Sequence, residues 1–196
     1  MIEDCTALIL AGGESQRMGQ DKACLLFSGM TLLEKISSVL QPMFASILVS
    51  TKEPRPTCAL PQVLDHPGHK GPLAGLTAGL EQSRTSWVFA IGCDMPFIVP
   101  ALIEYLSSLR EGCDAVVPIV SNHPQPMAAF YSGRGLETLH ELMSDGASHS
   151  MREFLDRISV RYVNEEELKE HDPMLRTFFD LDTPQDIALA QDMGSS

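Results

Sequence analysis

The sequence predicts a three-layer α/β/α sandwich with a mostly parallel, mixed sheet, and three observations support this fold class. Short apolar runs alternate with stretches of helical period along the chain. Several of these runs are apolar at nearly every position, as in strands that helices cover on both faces. With 196 residues and 44% hydrophobic content, the chain can bury one core. We therefore predict a single domain over residues 1–196.

Seven apolar runs are the predicted strands of this sheet. They span residues 6–12, 45–51, 61–65, 87–94, 114–120, 126–132 and 160–164. In open α/β sheets, ligands bind beyond the carboxyl ends of the strands. The residues directly after each strand are therefore the first candidates for function.

Six stretches of helical period are the predicted helices between the strands. They span residues 31–43, 71–83, 100–110, 135–145, 150–158 and 183–193. Thr31 and Thr183 are predicted N-caps, and Pro184 occupies the first helical position after Thr183. The acidic segment 164–172, NEEELKEHD, is typical of a solvated helix face rather than a binding tail.

The charge distribution argues against two classes of ligand and permits a third. A formal net charge of −12 argues against non-specific binding to nucleic acid or to an anionic membrane surface, both of which attract basic patches. Residues 1–98 carry 7 Lys/Arg and 9 Asp/Glu, whereas residues 99–196 carry 7 and 17. The first half is therefore near neutral and can hold an anionic ligand with local cations.

The cysteines and the N-terminal residues predict a cytoplasmic protein. The five cysteines are widely spaced without a Cys-x-x-Cys pair, which is typical of reduced thiols. The sequence starts without a basic segment of the signal-peptide kind, and no apolar run approaches about 18 residues. We therefore expect neither secretion nor a membrane span.

The segment LAGGESQRMGQDK, residues 10–22, follows the first predicted strand and has the composition of a phosphate-binding loop. Gly12 and Gly13 permit close approach of backbone N–H groups to a ligand. Arg17 and Lys22 add a planar cation and a compact one, which suits a polyphosphate. Two glycines alone would be an ordinary turn, and the segment is neither a Walker A loop nor Gly-x-Gly-x-x-Gly.

Aspartates follow other predicted strands. Asp94 ends the fourth strand in the segment GCDMP, where a carboxylate suits Mg²⁺ together with substrate phosphates. Asp65 follows the third strand, before a glycine-rich segment with Gly71 and Gly75 that predicts a second close backbone approach. Asp180 and Asp182 precede the last helix; taken alone, Asp182 is more typical of a structural residue.

These segments together resemble the molybdenum cofactor guanylyltransferase family, with its Rossmann-like nucleotidyltransferase fold. The resemblance rests on LAGGESQRMGQDK, GPLAGL, CDMPF, HPQPMAAFY and DLDTPQD, in that order over almost the whole chain. It implies transfer of GMP from GTP to the phosphate of molybdopterin, with Mg²⁺ as cofactor. The nucleotide-binding residues that it implies are Leu10, Ala11, Gly12, Gly13, Lys22, Asp65 and Asp94, with Arg17 and Gly19 in the same loop.

The resemblance also implies catalytic roles and a division of the chain. Lys22, Arg17 and Asp94 are the implied catalytic residues, and Asp94, with Asp182 as a second candidate, is the implied metal ligand. Residues 1–98 are then mainly nucleotide-binding, and residues 99–190 mainly acceptor-binding. The acceptor candidates are Gly71, Gly75, His149, Asp180 and Asp182.

Two departures from the family pattern leave a second donor nucleotide as an alternative to GTP. Asp180 and Asp182 occupy positions where the guanylyltransferases usually have asparagines, and His149 occupies a position where an arginine is common. The two aspartates are closer to the cytidylyltransferase pattern, so CTP is the alternative donor. The pair Gly12-Gly13 favours GTP, because the sister cytidylyltransferases have Leu-Ala-Ala-Gly where this chain has Leu-Ala-Gly-Gly.

Other classes remain as alternatives. A non-catalytic nucleotide-binding partner in cofactor insertion would keep the same pocket, but the retained Lys22 and Asp94 argue for an enzyme. A dinucleotide-dependent oxidoreductase is disfavoured because Gly-x-Gly-x-x-Gly is absent after the first strand. We expect a monomer that encounters other cofactor-biosynthesis proteins and recipient molybdoenzymes.

Overall fold

The computed structural model describes residues 1–12, 22–27, 29–66, 71–144 and 150–193. In these residues the strands are β1 (Ile2–Leu10), β2 (Leu26–Phe27), β3 (Met30–Thr31), β4 (Phe44–Thr51), β5 (Gln62–Leu64), β6 (Trp87–Gly92), β7 (Ala115–Val120), β8 (His123–Pro124), β9 (Ala128–Ser132) and β10 (Val160–Val163). Each of the seven predicted strands is present.

The main sheet has the strand order β10-β7-β9-β6-β1-β4-β5, with β8 paired to β7. β9 runs antiparallel to both β6 and β7. The pairs β1–β4, β1–β6, β4–β5 and β7–β10 are parallel. The short strand β8 is also antiparallel to β7, so the predicted mixed, mostly parallel sheet is confirmed.

The helices of the described residues are α1 (Leu32–Leu40), α2 (Pro72–Gln82), α3 (Pro100–Ser108), α4 (Leu136–Ser144), α5 (Met151–Leu155), α6 (Glu165–Lys169) and α7 (Pro184–Met193). The six predicted helices are all present. The acidic segment forms α6, which carries Glu165, Glu166 and Glu167 in its first turn. None of these helices has the length and apolar character needed to cross a membrane.

Alternate residues of β1 face opposite sides of the sheet and produce the three layers. Ala7 and Ile9 lie in a core cluster with apolar side chains of α1 and α3. Leu8 and Leu10 lie in a second cluster with α2, α4 and α5. All four side chains are buried, so β1 is covered on both faces as its continuous apolar run predicts.

Capping side chains fix the starts of two helices. Thr31 Oγ1 accepts a hydrogen bond from the Glu34 N–H at 3.1 Å, while Glu34 Oε2 accepts from the Thr31 N–H at 2.8 Å. The hydrogen bonds that the Thr31 N–H and the Thr31 hydroxyl donate to the Glu34 carboxylate favour its charged form, so they lower the pKa of Glu34. Asp186 and Thr183 form the same reciprocal pair before α7. Both predicted N-caps are confirmed.

The first strand begins before its predicted start at residue 6. Asp4 has a φ of 49°, and the β1–β4 register shifts between Ile2 and Thr6. The Asp4 carboxylate accepts a hydrogen bond from the Ser86 N–H at 2.9 Å, and bonding to Ser86 lowers the Asp4 pKa. The irregularity interrupts the apolar alternation, which explains why sequence periodicity misses this part of the strand.

Candidate nucleotide-binding site

The carboxyl ends of four parallel strands meet at one edge of the sheet. Leu10 of β1 is in register with Ser50 of β4 and with Gly92 of β6. Beyond the strands, the Ala11 N–H donates to the Ser50 carbonyl at 2.9 Å and the Cys93 N–H donates to the Leu10 carbonyl at 3.2 Å. The glycine loop after β1, Asp65 after β5 and Asp94 after β6 therefore leave the sheet at the same edge.

Asp65 is held from two sides at this edge. Its N–H donates to the Thr51 carbonyl at 2.9 Å, which continues the pairing of β5 with β4. The hydroxyl of Ser50, a residue only 1% exposed, donates a hydrogen bond to Asp65 Oδ1. The carboxylate therefore has a fixed orientation, with Oδ1 engaged by the protein.

Gly12 lies directly against the Asp65 carboxylate. A Cβ atom added at Gly12 would overlap Asp65 Oδ2 and lie 3.0 Å from Asp65 Cγ. Real Cβ atoms do not approach other heavy atoms so closely, so a larger residue here would force either the backbone at residue 12 or the Asp65 carboxylate to shift. The structure thus brings Gly12 and Asp65 together, and the contacts predicted for both with a nucleotide remain predictions.

The second glycine-rich segment starts α2 and packs against the same residues. Gly71 is the N-cap of α2 and has a φ of 81°, which favours glycine. A Cβ atom at Gly75 would overlap Ser50 Oγ and lie 2.8 Å from Leu10 Cδ2. Gly75 therefore allows the helix to approach β1 and β4 closely, which is a packing role in addition to the acceptor contact predicted for it.

The segment before α7 is joined to the Asp94 turn. The Leu181 N–H donates to the Asp94 carbonyl at 2.9 Å, and Leu181 is 1% exposed in a cluster with Phe27, Leu32 and Ala190. This bond brings the chain on either side of Leu181, which includes Asp182, next to Asp94. The metal role predicted for Asp94, with Asp182 as the second candidate, remains a prediction.

The carboxylates at this edge suit a cation that the substrate helps to bind. Among the described residues, no group of three or more His, Cys, Asp or Glu side chains is arranged to hold a metal ion. Mg²⁺ bound with a nucleotide needs only one or two carboxylates, because phosphate oxygens and waters complete its octahedron. Asp94, with Asp182 near it in the fold, matches that requirement.

Arg55 is a cation at this edge that the sequence interpretation missed. It lies in the loop between β4 and β5, and its Nη2 donates to the Ala11 carbonyl at 2.8 Å. Its Nη1 lies 3.7 Å from Cys24 Sγ. The signal was a single arginine in the segment TKEPRP after an apolar strand, and nothing in that segment indicates which neighbouring loop the side chain reaches.

Several predicted residues lie outside the described residues. These are Gly13, Arg17, Gly19 and His149. Lys22 is the first residue of a short 3-10 helix, Lys22–Cys24, which comes after the glycine-rich segment in the sequence. The roles predicted for these five residues remain predictions.

The cysteine at the end of this short helix gives a direct test of where a nucleotide binds. Cys24 is exposed, whereas Cys5, Cys93 and Cys113 are buried. Burial raises the pKa of Cys5 to about 12, so this thiol stays protonated and unreactive at neutral pH. We expect a maleimide to modify Cys24 first, and a non-hydrolysable GTP analogue to slow that reaction, as followed by peptide mass spectrometry.

The matched control is Cys24→Ser, which should lose the fast-reacting thiol and leave the slow ones unchanged. Equal modification rates of Cys24 with and without the analogue would place the bound nucleotide away from the Lys22–Cys24 helix.

A mostly parallel sheet with a glycine loop and strand-end carboxylates at one edge is the architecture of nucleotide-binding α/β proteins. Comparison with known families gives the particular family. The model of the MobA-like NTP transferase domain matches residues 7–162. The chain belongs to this family of nucleotidyltransferases.

Relatives across the whole chain are named as molybdenum cofactor guanylyltransferases. A probable molybdenum cofactor guanylyltransferase of Pelotomaculum thermopropionicum is 33% identical, over 97% of this chain and 94% of the relative. The molybdenum cofactor guanylyltransferase of Syntrophotalea carbinolica is 32% identical, over 93% of this chain and 88% of the relative. The predicted resemblance is therefore confirmed.

Solved structures agree with this assignment. The molybdopterin-guanine dinucleotide biosynthesis protein A of Archaeoglobus fulgidus matches with a TM-score of 0.86 and 25% identity, over 97% of this chain and 98% of that chain. The 2-C-methyl-D-erythritol 4-phosphate cytidylyltransferase of Thermus thermophilus matches with a TM-score of 0.72 and 20% identity, over 97% and 98%. The second likeness shows a shared fold.

Proposed function

We propose that this protein transfers GMP from GTP to the phosphate of molybdopterin, giving molybdopterin guanine dinucleotide and pyrophosphate. Family membership and the names of whole-chain relatives support the reaction class. The observation that carries the proposal to this chain's own residues is the single sheet edge at which Gly12, Asp65 and the Asp94 turn meet.

The donor nucleotide is assigned to residues 1–98. Leu10, Ala11, Gly12 and Gly13 are assigned to the segment beside the base and phosphates, where the two glycines permit close approach of the backbone. Asp65, fixed by Ser50, offers Oδ2 as an acceptor for N–H or O–H groups of the nucleoside. Lys22 and Arg17 contact the triphosphate as cations.

The metal is assigned to Asp94, with Asp182 as the second carboxylate. Mg²⁺ bound there would supply positive charge against the phosphate oxygens of the two substrates. Asp94 holds a favourable position because its turn directly follows β6, beside the start of the glycine loop. No further protein ligand is required when phosphates fill the remaining positions.

The reaction requires no covalent bond between the protein and either substrate. A phosphate oxygen of molybdopterin forms a bond to the α-phosphorus of GTP, and the bond from that phosphorus to the β-phosphate bridging oxygen breaks, so pyrophosphate leaves. The attacking phosphate monoester is already nucleophilic, so neither a Ser nor a Cys nucleophile is needed. Positioning and neutralisation of charge by Lys22 and Arg17 account for the catalysis assigned to the protein.

The acceptor is assigned mainly to residues 99–190. The Gly92 N–H donates to the Met127 carbonyl at 2.9 Å, which brings the segment before β9 to the end of β6. Asp180 and Asp182 flank Leu181 at the Asp94 turn. Together with Gly71, Gly75 and His149, these residues are the candidates for contacts with the pterin.

The decisive experiment measures pyrophosphate release by the purified protein with molybdenum cofactor as acceptor and GTP, CTP, ATP or UTP as donor. We expect release with GTP, dependence on Mg²⁺, and a dinucleotide product whose mass exceeds that of the acceptor by a guanylyl group, that is, GMP less one water. Preference for CTP would replace the donor assignment. Tight GTP binding without turnover in any acceptor mixture would instead support a non-catalytic nucleotide-binding partner.

A further inference from the structure

Arg55 contacts both Ala11 and Cys24, which lie on either side of the glycine-rich segment in the sequence. Its guanidinium donates through Nη2 to the Ala11 carbonyl at 2.8 Å, and its Nη1 lies 3.7 Å from the Cys24 sulfur. Ala11 opens the glycine loop, and Cys24 ends the short helix that begins with Lys22. One planar group therefore contacts the described residues on both sides of the proposed phosphate-binding segment.

Two hydrogen bonds to the Gln62 side chain hold the backbone of Arg55 in place. The Arg55 N–H donates to Gln62 Oε1 at 2.8 Å, and Gln62 Nε2 donates to the Arg55 carbonyl at 3.0 Å. Gln62 is the first residue of β5, the strand that ends before Asp65. The Gln62 side chain therefore holds both the N–H and the carbonyl of Arg55 beside the sheet. This fixes the backbone position from which the guanidinium extends.

The bond to Ala11 also sets the direction of a neighbouring donor. The Ala11 carbonyl and the Gly12 N–H belong to the same planar trans peptide unit, so they point in opposite directions. Because Arg55 holds the carbonyl, the Gly12 N–H is directed to the other side of that unit. Gly12 itself lies against the Asp65 carboxylate, which leaves no room for a Cβ atom there.

We propose that Arg55 is a positioning residue for nucleotide binding, and that its guanidinium orients the Gly12 N–H and the Lys22–Cys24 helix toward the triphosphate. This inference rests on the proposed function for the identity of the ligand. Arginine suits the task because its fork presents several N–H donors in one rigid plane. Lysine carries the same charge but has no such fork.

The test compares Arg55→Ala, Arg55→Lys and the control Arg84→Ala. Arg84 is an exposed arginine in the turn between α2 and β6, at the opposite edge of the sheet. We expect Arg55→Ala to weaken binding of a non-hydrolysable GTP analogue by about 10- to 100-fold, the scale of a misplaced binding group. Arg55→Lys should recover only part of this loss, and Arg84→Ala should bind as the wild type does.

Chemical rescue separates positioning from a purely structural role. Guanidinium ion, at concentrations well below those that unfold the protein, should restore part of the binding and turnover of Arg55→Ala and should leave Arg84→Ala unchanged. Urea, a neutral molecule of similar shape, should restore neither the binding nor the turnover of Arg55→Ala. Thermal unfolding of each variant identifies a temperature at which all are folded, and binding is compared there.

The outcomes distinguish this inference from the proposed function. Wild-type binding of the GTP analogue by folded Arg55→Ala would overturn the role of Arg55, whatever the wild type catalyses. Weakened binding without rescue by guanidinium would also overturn it, in favour of a general packing defect. If the wild type instead prefers another donor nucleotide, the same comparison with that nucleotide still decides the role of Arg55.

Discussion

Replacing Asp94 by asparagine is expected to lower turnover by about 10³-fold, the upper scale for loss of one preorganised electrostatic contact. Asparagine keeps the size of the side chain but removes the negative charge that would attract Mg²⁺. The fold should tolerate this change, because the hydrogen bond from Leu181 is made to the Asp94 backbone carbonyl. Pyrophosphate release measures the effect, and thermal unfolding should show a small change.

The control is Asp156→Asn, at an exposed aspartate between α5 and the amino end of β10. It removes the same charge far from the proposed site and should leave turnover unchanged. Wild-type turnover by Asp94→Asn would remove this carboxylate from the mechanism. A large loss in Asp156→Asn would show that overall charge, rather than the Asp94 position, controls the rate.

Replacing Gly12 by alanine is expected to lower kcat/KM for GTP by about 10²-fold, the scale for a displacement of about 1 Å at a reacting centre. The added methyl group would overlap the Asp65 carboxylate, which the Ser50 hydroxyl holds in place. The methyl group therefore displaces either the backbone at the carboxyl end of β1 or the Asp65 carboxylate from its bond with Ser50, and both are assigned to the nucleotide. Steady-state kinetics with GTP measure the loss, and binding of a GTP analogue should weaken in parallel.

Gly133→Ala is the matched control, because a Cβ atom there would meet only the Ser86 carbonyl at an ordinary distance of 3.6 Å. It should keep wild-type kinetics. The double variant Gly12→Ala with Asp65→Ala removes the overlap, so it should recover thermal stability relative to Gly12→Ala. It should not recover kcat/KM, because the proposed nucleotide contact of Asp65 is lost. Unchanged kinetics in Gly12→Ala would mean that the loop does not approach the nucleotide.

The sequence predicts the main sheet well because its strands are nearly continuous apolar runs. Strands such as β6, Trp87–Gly92, are buried on both faces, so their hydrophobicity is visible without knowledge of their neighbours. The two-residue strands β2, β3 and β8 were not predicted, because two residues carry no period. The N-caps were predictable since Thr31 and Thr183 make local hydrogen bonds within a few residues.

The candidate site was predictable only in part. The rule that ligands bind at the carboxyl ends of strands leads to Asp65 and Asp94, which directly follow strands. It does not lead to Ser50 or Arg55, whose importance comes from contacts with residues that are distant in the chain. Ser50 looks like one small polar residue at the end of a strand until the fold brings Asp65 to it.

The bond between Leu181 and Asp94 has a consequence for when the protein can become active during synthesis. Leu181 is anchored by Phe27, Leu32 and Ala190, so the segment beside Asp94 depends on α7 for its burial. A ribosome makes the glycine loop and Asp94 long before it makes α7. A nascent chain can therefore form most of the sheet while the carboxylate edge is still incomplete. The proposed metal site at Asp94 is therefore complete only after α7 has been synthesised.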